Sequence, residues 1–341
     1  MPDTAKPKPA IDMHGHKIVQ VGIVVADAAR TARNYSRLFG AGPWTFYDML
    51  ATDVTLHNRR LTEAEGCVRA AMANIGGIEI ELLQPVYGPG THMEFLRQRG
   101  EGIHHVSFGL VDNHDAALAV LQRQGIAIEM QGKLGGAVTF SYMDTVRELG
   151  TIFEFVKAPD TGVRSTLAPW GQLSAPAAPA AVGITGKRVA QLGFVVDDAE
   201  KMARRYEELL GIGPWRLWVP VPQADAANTP VAPGQVLHGV PMVHITARTK
   251  VAFCEWEGLQ FELIQPLAGP STHFEYLKTQ GNGIHHLSFG PVNDHDAMVA
   301  AYAAAGIGIE MAGALPRDAQ YTYMDTRREL GTIWEMVRPG K

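Results

Sequence analysis

Apolar and polar residues along this chain recur with two different periods, and the switches between them mark out the elements. In IVQVGIVV (18–25) the apolar positions Val21, Ile23 and Val25 alternate with Gln20 and Gly22, the spacing of a strand with one covered face. In DAARTARNYSRLFG (27–40) apolar residues recur near every 3.6 positions behind an acidic start and before a glycine, which predicts an amphipathic helix. Shorter strand-like runs follow and end in IEIELLQP (78–85). A new strand, GIHHVSFG (102–109), precedes a second helix, NHDAALAVLQRQG (113–125), and further strands end in GTIFEFV (150–156). The pattern is β-α-β-β-β, written twice.

The doubled pattern then returns as a whole. Residues from about Lys17 to Ala158 reappear as Arg188 to Pro339: VQVGIVVADAARTARNYSRLFGAGPW matches AQLGFVVDDAEKMARRYEELLGIGPW, and YMDTVRELGTIFEFV matches YMDTRRELGTIWEMV. The offset is 171 at Gln20/Gln191 and 181 from Glu81/Glu262 onward, so the second copy carries ten more residues. They fall in the Pro/Ala-rich stretch Val219 to Pro241, which reads as a loop able to cover one pocket. The fold class is therefore α+β, with four βαβββ modules in two tandem domains. The expected boundaries are a flexible N-terminal tail (1–16), a first domain (17–158), a Pro/Ala-rich linker (159–186) and a second domain (187–339). Trp170 predicts that part of the linker docks onto a domain.

Composition narrows the setting. Of 341 residues 46% are apolar, enough for two cores, and the net charge of −5 comes without any Lys/Arg run. Nucleic acid and anionic membrane surfaces are poor partners for such a chain. No apolar run approaches the ~18 residues that span a bilayer, and the polar N-terminus has no hydrophobic signal core. Two cysteines, Cys67 and Cys254, are too few for a disulfide framework. A cytoplasmic protein acting on a small molecule, with a homodimer admitted, is the resulting expectation.

Candidate chemistry sits on the strands. Alternation puts His105, Ser107 and Gly109 on one face and His104, Val106 and Phe108 on the other. Gln20, Glu81 and Glu154 are each a single polar side chain on a strand whose opposite face is apolar, and the second copy repeats all four positions as Gln191, Glu262, His286 and Glu335. Two carboxylates, an imidazole and an amide oxygen suit a borderline-to-hard divalent ion. Neither glutamate has Lys or Arg near it on its strand, so a metal is the expected counter-charge.

This arrangement resembles the vicinal oxygen chelate superfamily, which includes glyoxalase I, methylmalonyl-CoA epimerase, extradiol dioxygenases and antibiotic-resistance binding proteins. The resemblance implies cupped mixed sheets built from paired βαβββ modules with a metal in each cup. The spacing from IELLQP to GIHHVSF is similar to that of the epimerases, which implies that His105 and His286, Glu81 and Glu262, and Glu154 and Glu335 are ligands. The order Gln, Glu, His, Glu resembles the ligand set of human-type glyoxalase I. Val24 and Val195 stand where that enzyme has an arginine for glutathione, and neither CVRAAMA nor TKVAFC offers the second acidic base of the epimerases.

Plainer readings apply elsewhere. His104 and His285, placed on the apolar face, read as hydrogen-bonded structural residues. Trp44 and Trp215, in the repeated GPW, read as wall or core residues, and with Tyr142 and Tyr323 they form the pocket candidates. His92 and His273 read as cap or rim residues at a helix start, and the repeated MDT-x-REL as a tight turn with local ion pairs. The resulting expectation is a lyase or isomerase that moves a proton beside a carbonyl, using zinc, manganese, cobalt, nickel or iron(II), with Glu154 and Glu335 as the proton-transferring groups. An iron(II) extradiol-type dioxygenase and a non-catalytic antibiotic-type binding protein are the alternatives. Whether each site is built within one copy or shared between copies is left open.

Overall fold

The computed structural model describes residues 8–61, 66–159, 162–218, 235–242 and 247–340. In the first copy the chain forms β1 (Gln20–Val24), α1 (Ala28–Phe39), β2 (Trp44–Met49), β3 (Thr52–Leu56), β4 (Arg59–Arg60), β5 (Cys67–Ile75) and β6 (Ile78–Tyr87). Helix α2 (Thr91–Arg99) leads to β7 (Gly102–Leu110), α3 (His114–Arg123), β8 (Ile128–Leu134), β9 (Val138–Met143), α4 (Val146–Leu149) and β10 (Ile152–Lys157). Both modules join one sheet of order β11-β2-β5-β6-β1-β7-β10-β9-β8-β3-β4, where β11 (Gly171–Leu173) comes from the linker.

The second copy repeats this plan. Its elements are β12 (Gln191–Val195), α5 (Ala199–Leu210), β13 (Arg216–Trp218), β14 (Val236–Leu237), β15 (Val240–Pro241), β16 (Arg248–Trp256) and β17 (Leu259–Ala268). They continue as α6 (Thr272–Gln280), β18 (Gly283–Pro291), α7 (His295–Ala304), β19 (Ile309–Ala314), β20 (Gln320–Met324), α8 (Arg327–Leu330) and β21 (Ile333–Arg338). The sheet order is β13-β16-β17-β12-β18-β21-β20-β19-β14-β15. Strands from different modules meet at the centre, β1 against β7 and β12 against β18, both antiparallel. That junction places the four ligand-type positions of one copy on four neighbouring strands. Of Val219–Pro241, residues 219–234 lie outside the described residues; the remainder carries the β14–β15 hairpin, which pairs with β19 as β3 pairs with β8.

Helix α1 starts where the Asp27 side chain accepts from the Arg30 amide, and it ends at Gly40 in the left-handed region, a conformation that suits glycine. Asp198 and Gly211 do the same for α5. The buried face of each helix carries a tyrosine that reaches into the other copy. Tyr35 donates to the Leu330 carbonyl at 3.0 Å, and Tyr206 donates to the Leu149 carbonyl at 2.6 Å. Beside Tyr35, Phe39 meets Phe289, Tyr302 and Trp334 edge to face while Phe289 stacks on Trp334, so one continuous apolar core runs through both copies.

Three expectations need correction. The stretch 1–16 is not free along its described part: the amides of Ala10, Ile11 and Met13 donate to the carbonyls of Glu208, Leu209 and Leu210, and Met13 is fully buried. The Met13 side chain completes the core and holds this irregular segment down. Trp44 is not a pocket residue; it is buried beside Tyr35 on the core side of β2. Trp215 likewise packs on Tyr206 and donates to the Ile212 carbonyl, away from either cup. Trp170, by contrast, docks the linker as expected, tilted over Phe46 at 5.2 Å with its indole N–H on Asp48. No helix among the described residues is long and apolar enough to cross a membrane.

Candidate metal centre and substrate cup

Strand register assembles the site. Gly22 on β1 stands between Glu81 on β6 and His105 on β7, and one step along the same face Ser107 lies between Gln20 and Glu154. Gly22 is glycine for a steric reason: a Cβ there would overlap the His105 ring, which lies across β1. Gly193 leaves the same space for His286. The imidazole is thereby laid flat on the floor of the cup, fully buried. Its Nε2 faces Glu81 Oε2 at 3.6 Å and Glu154 Oε2 at 3.9 Å. In the second copy His286 Nε2 lies 3.7 Å from Glu262 Oε2, 3.6 Å from Glu335 Oε2 and 3.5 Å from Gln191 Oε1. Each group is built within one copy. The amide nitrogens of Gln20 and Gln191 donate to Glu79 and Gln260, which turns the amide oxygens away from those partners.

These contacts are not ion pairs. Burial holds both imidazoles well below the usual histidine range, with the neighbouring His92 or His273 adding to the effect. Burial also raises the carboxyls. Glu81 and Glu262 are pushed well above the ordinary value, next by the companion glutamate of each site, Glu154 or Glu335. Glu154 and Glu335 are raised to about 7 by burial, against the opposing effect of hydroxyl hydrogen bonds from Ser107 and Tyr142, or Ser288 and Tyr323. His105 Nε2 and Glu335 Oε2 have no hydrogen-bond partner. Among the described lining residues the first cup offers no Lys or Arg, and the second offers Arg248 alone. Two buried carboxyls, a bare imidazole nitrogen and an amide oxygen fit a divalent cation.

A β-bulge changes the strict alternation read from GIHHVSFG. The register steps from Gly22↔His105 to Ile23↔Ile103, so His104 is the extra residue, and His285 is its counterpart. The bulge brings His104 beside His105, with their Nδ1 atoms 3.1 Å apart, instead of leaving it on the far apolar face. His104 Nε2 meets Thr91 Oγ1 at 3.0 Å, and Thr91 donates to Glu129. His92 and His273 also belong to the cups rather than to helix rims. Both are buried, border the glutamates, and are held low by burial, to about 4 and about 3. Neither ring nitrogen of His92 is partnered, and neither is His273 Nε2. Nitrogens of His92, His104 and His105 lie within 4.8 Å of one another, as do those of His273, His285 and His286. Both nitrogens of His104 are already engaged, which favours the histidine–carboxylate set over a three-histidine one.

The two cups differ in size. The first encloses about 70 Å³ and is crowded by Met49, Val54, Leu61, Met130, Leu134 and Phe140. The second holds about 1030 Å³ between Trp218, Met242, Phe253, Leu267, Met311 and Tyr321. Tyr142 and Tyr323 line the cups as expected, each over its histidine at 4.8 and 4.7 Å between ring centroids. Trp218, three residues beyond the candidate Trp215, is the indole that faces the second cup.

Residues 19–142 and 190–323 each match a family model described as Glyoxalase/Bleomycin resistance protein/Dioxygenase superfamily. Members of that superfamily are mostly metal-dependent enzymes that use divalent ions and act on small molecules. A variant of 4-hydroxymandelate synthase from Streptomyces coelicolor has a similar fold, with a TM-score of 0.58 at 13% identity, covering 96% of this chain and 93% of that one. A Mn(II)-bound glyoxalase from Novosphingobium aromaticivorans matches with a TM-score of 0.46 at 13% identity, over 95% and 82% of the two chains. Methylmalonyl-CoA epimerase from Mycobacterium tuberculosis matches with a TM-score of 0.33 at 20% identity, covering 45% of this chain and 88% of that one. No curated protein sequence matches the chain.

Proposed function

We propose, for a chain that belongs to the glyoxalase/bleomycin resistance protein/dioxygenase superfamily, a divalent-metal-dependent lyase or isomerase that moves a proton next to a carbonyl. Gln191, Glu262, His286 and Glu335 would hold the ion in the second copy, and Gln20, Glu81, His105 and Glu154 in the first. When bound, a divalent ion acts as a Lewis acid that polarises a carbonyl oxygen and stabilises enolate-like charge. Glu335 takes the proton from the adjacent carbon. Bound beside the cation it is ionised and able to accept a proton, and the Ser288 and Tyr323 hydroxyls orient it. His273, neutral and with its Nε2 unpartnered, hydrogen-bonds an oxygen of the substrate at the cup wall. The apolar wall and single Arg248 suit a largely apolar molecule carrying at most one acidic group. The second cup exceeds the 300–1,000 Å³ that encloses most small ligands, whereas the first is far below it, so turnover belongs to the second copy.

The observation that carries this reading is the convergence, in each copy, of an imidazole nitrogen and two buried carboxyls that pair with no Lys or Arg among the described residues, the His105 nitrogen having no partner at all. Elemental analysis of protein purified without chelator is expected to find up to two divalent ions per chain, His105→Ala removing one and His286→Ala the other. Solvent deuterium is expected at the carbon beside the carbonyl of a turned-over substrate. Protein that takes up no stoichiometric divalent metal would sink the proposal. A second reading, an iron(II) dioxygenase, draws on His273: with His286 and Glu335 it makes the two-histidine, one-carboxylate count of that chemistry. Oxygen consumption without deuterium uptake would favour it.

A further inference from the structure

We infer that Glu310, Thr272 and His285 form a positioning chain that holds His286 in the tautomer protonated at Nδ1, leaving its Nε2 as a lone pair aimed at Glu262 and Glu335. The inference rests on the metal reading above, because a bare Nε2 is what a cation needs. Direction enters at the far end. Arg327 has only donors, and its Nη2 lies 3.0 Å from Glu310 Oε2, so the carboxylate accepts there. Glu310 Oε1 accepts from the Thr272 hydroxyl at 2.8 Å. Having given its one proton to Glu310, Thr272 Oγ1 accepts from His285 Nε2 at 3.1 Å. A neutral ring protonated at Nε2 is bare at Nδ1, so His285 Nδ1 accepts from His286 Nδ1–H at 3.2 Å. That leaves His286 without a proton on Nε2. Reversing any of these links would face two protons or two lone pairs across one bond; Gln191 Oε1, 3.5 Å from Nε2, then meets that nitrogen acceptor to acceptor, as two ligands of one cation do.

The opposite tautomer would donate from His286 Nε2 to Gln191 Oε1 or to one of the two glutamates and close the site to a cation. The chain therefore decides between a carboxyl–histidine cluster that is satisfied by itself and one that waits for an ion. The bulge is what makes it work, since the extra residue is the one that brings His285 alongside His286. The first copy has the same series, with Glu129 accepting from Thr91, then His104, then His105. Val146 stands there at the helix position of Arg327, and Glu129 is only half-buried, so that chain is clamped less firmly.

Two measurements test this, with His105→Ala confining metal binding to the second copy. In metal-free protein labelled with 15N-histidine, the His286 ring is expected to show a protonated Nδ1 and an unprotonated Nε2. Zn(II) affinity, from competition with a chelating dye, is expected to fall about 10–100-fold in Thr272→Val, the range typical of lost partners to metal ligands. Thr272→Ser, which keeps the hydroxyl, is expected to restore it. A purely packing role would be met by valine and would not need serine. An Nε2–H signal from His286, or unchanged Zn(II) binding by Thr272→Val, overturns the positioning role while leaving the metal reading intact. Failure of the His105→Ala parent to bind Zn(II) at all overturns the metal reading and this role with it. The spectrum of the parent needs no Thr272 variant, so a poorly folding valine substitution leaves the assignment testable.

Discussion

At the scale of single residues, the site depends on two positions that carry no side chain. Gly193 lets the His286 ring lie across β12, and a methyl group there would overlap the ring. Gly193→Ala is expected to swing His286 off the floor of the cup, losing the second divalent ion while the first stays. Overpacking of this kind costs about 1–3 kcal/mol, so melting temperature should fall with metal content. The buried titrating groups set a second expectation. Glu154 and Glu335 titrate near 7 in the folded chain against an ordinary 4.5, so the folded state keeps protons that the unfolded chain has released. Their contribution to stability is complete at low pH and is lost as pH rises through 7. His92, His104, His105, His273, His285 and His286 are depressed, so theirs is complete above 6.5 and is lost as pH falls below it. Metal-free protein should therefore be most stable near pH 6.5. Saturating Zn(II) should remove the decline above that pH, because ligation requires the carboxylates ionised. Melting curves with and without chelator across about pH 5–8.5 check both limbs; a metal-free curve still rising at the alkaline end would contradict the carboxyl assignment.

At the scale of elements, duplication made most of the fold legible. The βαβββ modules, the caps at Asp27 and Asp198, and the four polar strand positions all follow from periods of 2 and 3.6 that occur twice. Gln20, Glu81, His105 and Glu154 could be picked out because alternation alone separates them from apolar neighbours. What escaped depends on contacts between elements. The bulge at His104 breaks the alternation by one residue, and nothing in GIHHVSFG announces that. His92 and Thr91 reach the cup from the start of α2, and their link to β7 is visible only in three dimensions. Trp44 reads as wall or core and lies in the core; a strand pattern does not say which face meets the cup. The N-terminal stretch is the plainest case: its polar, proline-containing sequence reads as a tail, yet Met13 fills the core and the His16 backbone carbonyl accepts from the Trp256 indole at 2.9 Å. Removing residues 1–16 is expected to cost at least ~2 kcal/mol, the burial of one methionine, and to lower the denaturant midpoint without shifting metal stoichiometry. An unchanged midpoint would mean that the segment is held too loosely to matter.

At the scale of the whole molecule, two copies with the same ligand-type residues enclose very different spaces. The first cup is filled by its own side chains: Val54, Leu56 and Leu61 fold over from the β3–β4 region and pack with Met130, Phe140 and Tyr142. Among the described residues the corresponding cluster in the second copy is Met311, Tyr323 and Ile333, with Leu237 and Tyr321 packed against it, and about 1030 Å³ lies above the glutamates. Both copies keep the histidine and both carboxyls, so metal binding and turnover should separate. Glu335→Gln is expected to weaken metal binding at the second site and, assayed at saturating metal, to cut turnover by ~10²–10⁴-fold, the usual contribution of one positioned base. Glu154→Gln should leave turnover largely intact while weakening metal binding at the first site, whose ion would then serve to neutralise buried carboxyls beside the shared core. Steady-state kinetics on the two variants, alongside elemental analysis, distinguish the cases. Equal losses from both substitutions would mean that the first cup opens to admit substrate, and that the contrast in volume does not govern which copy works.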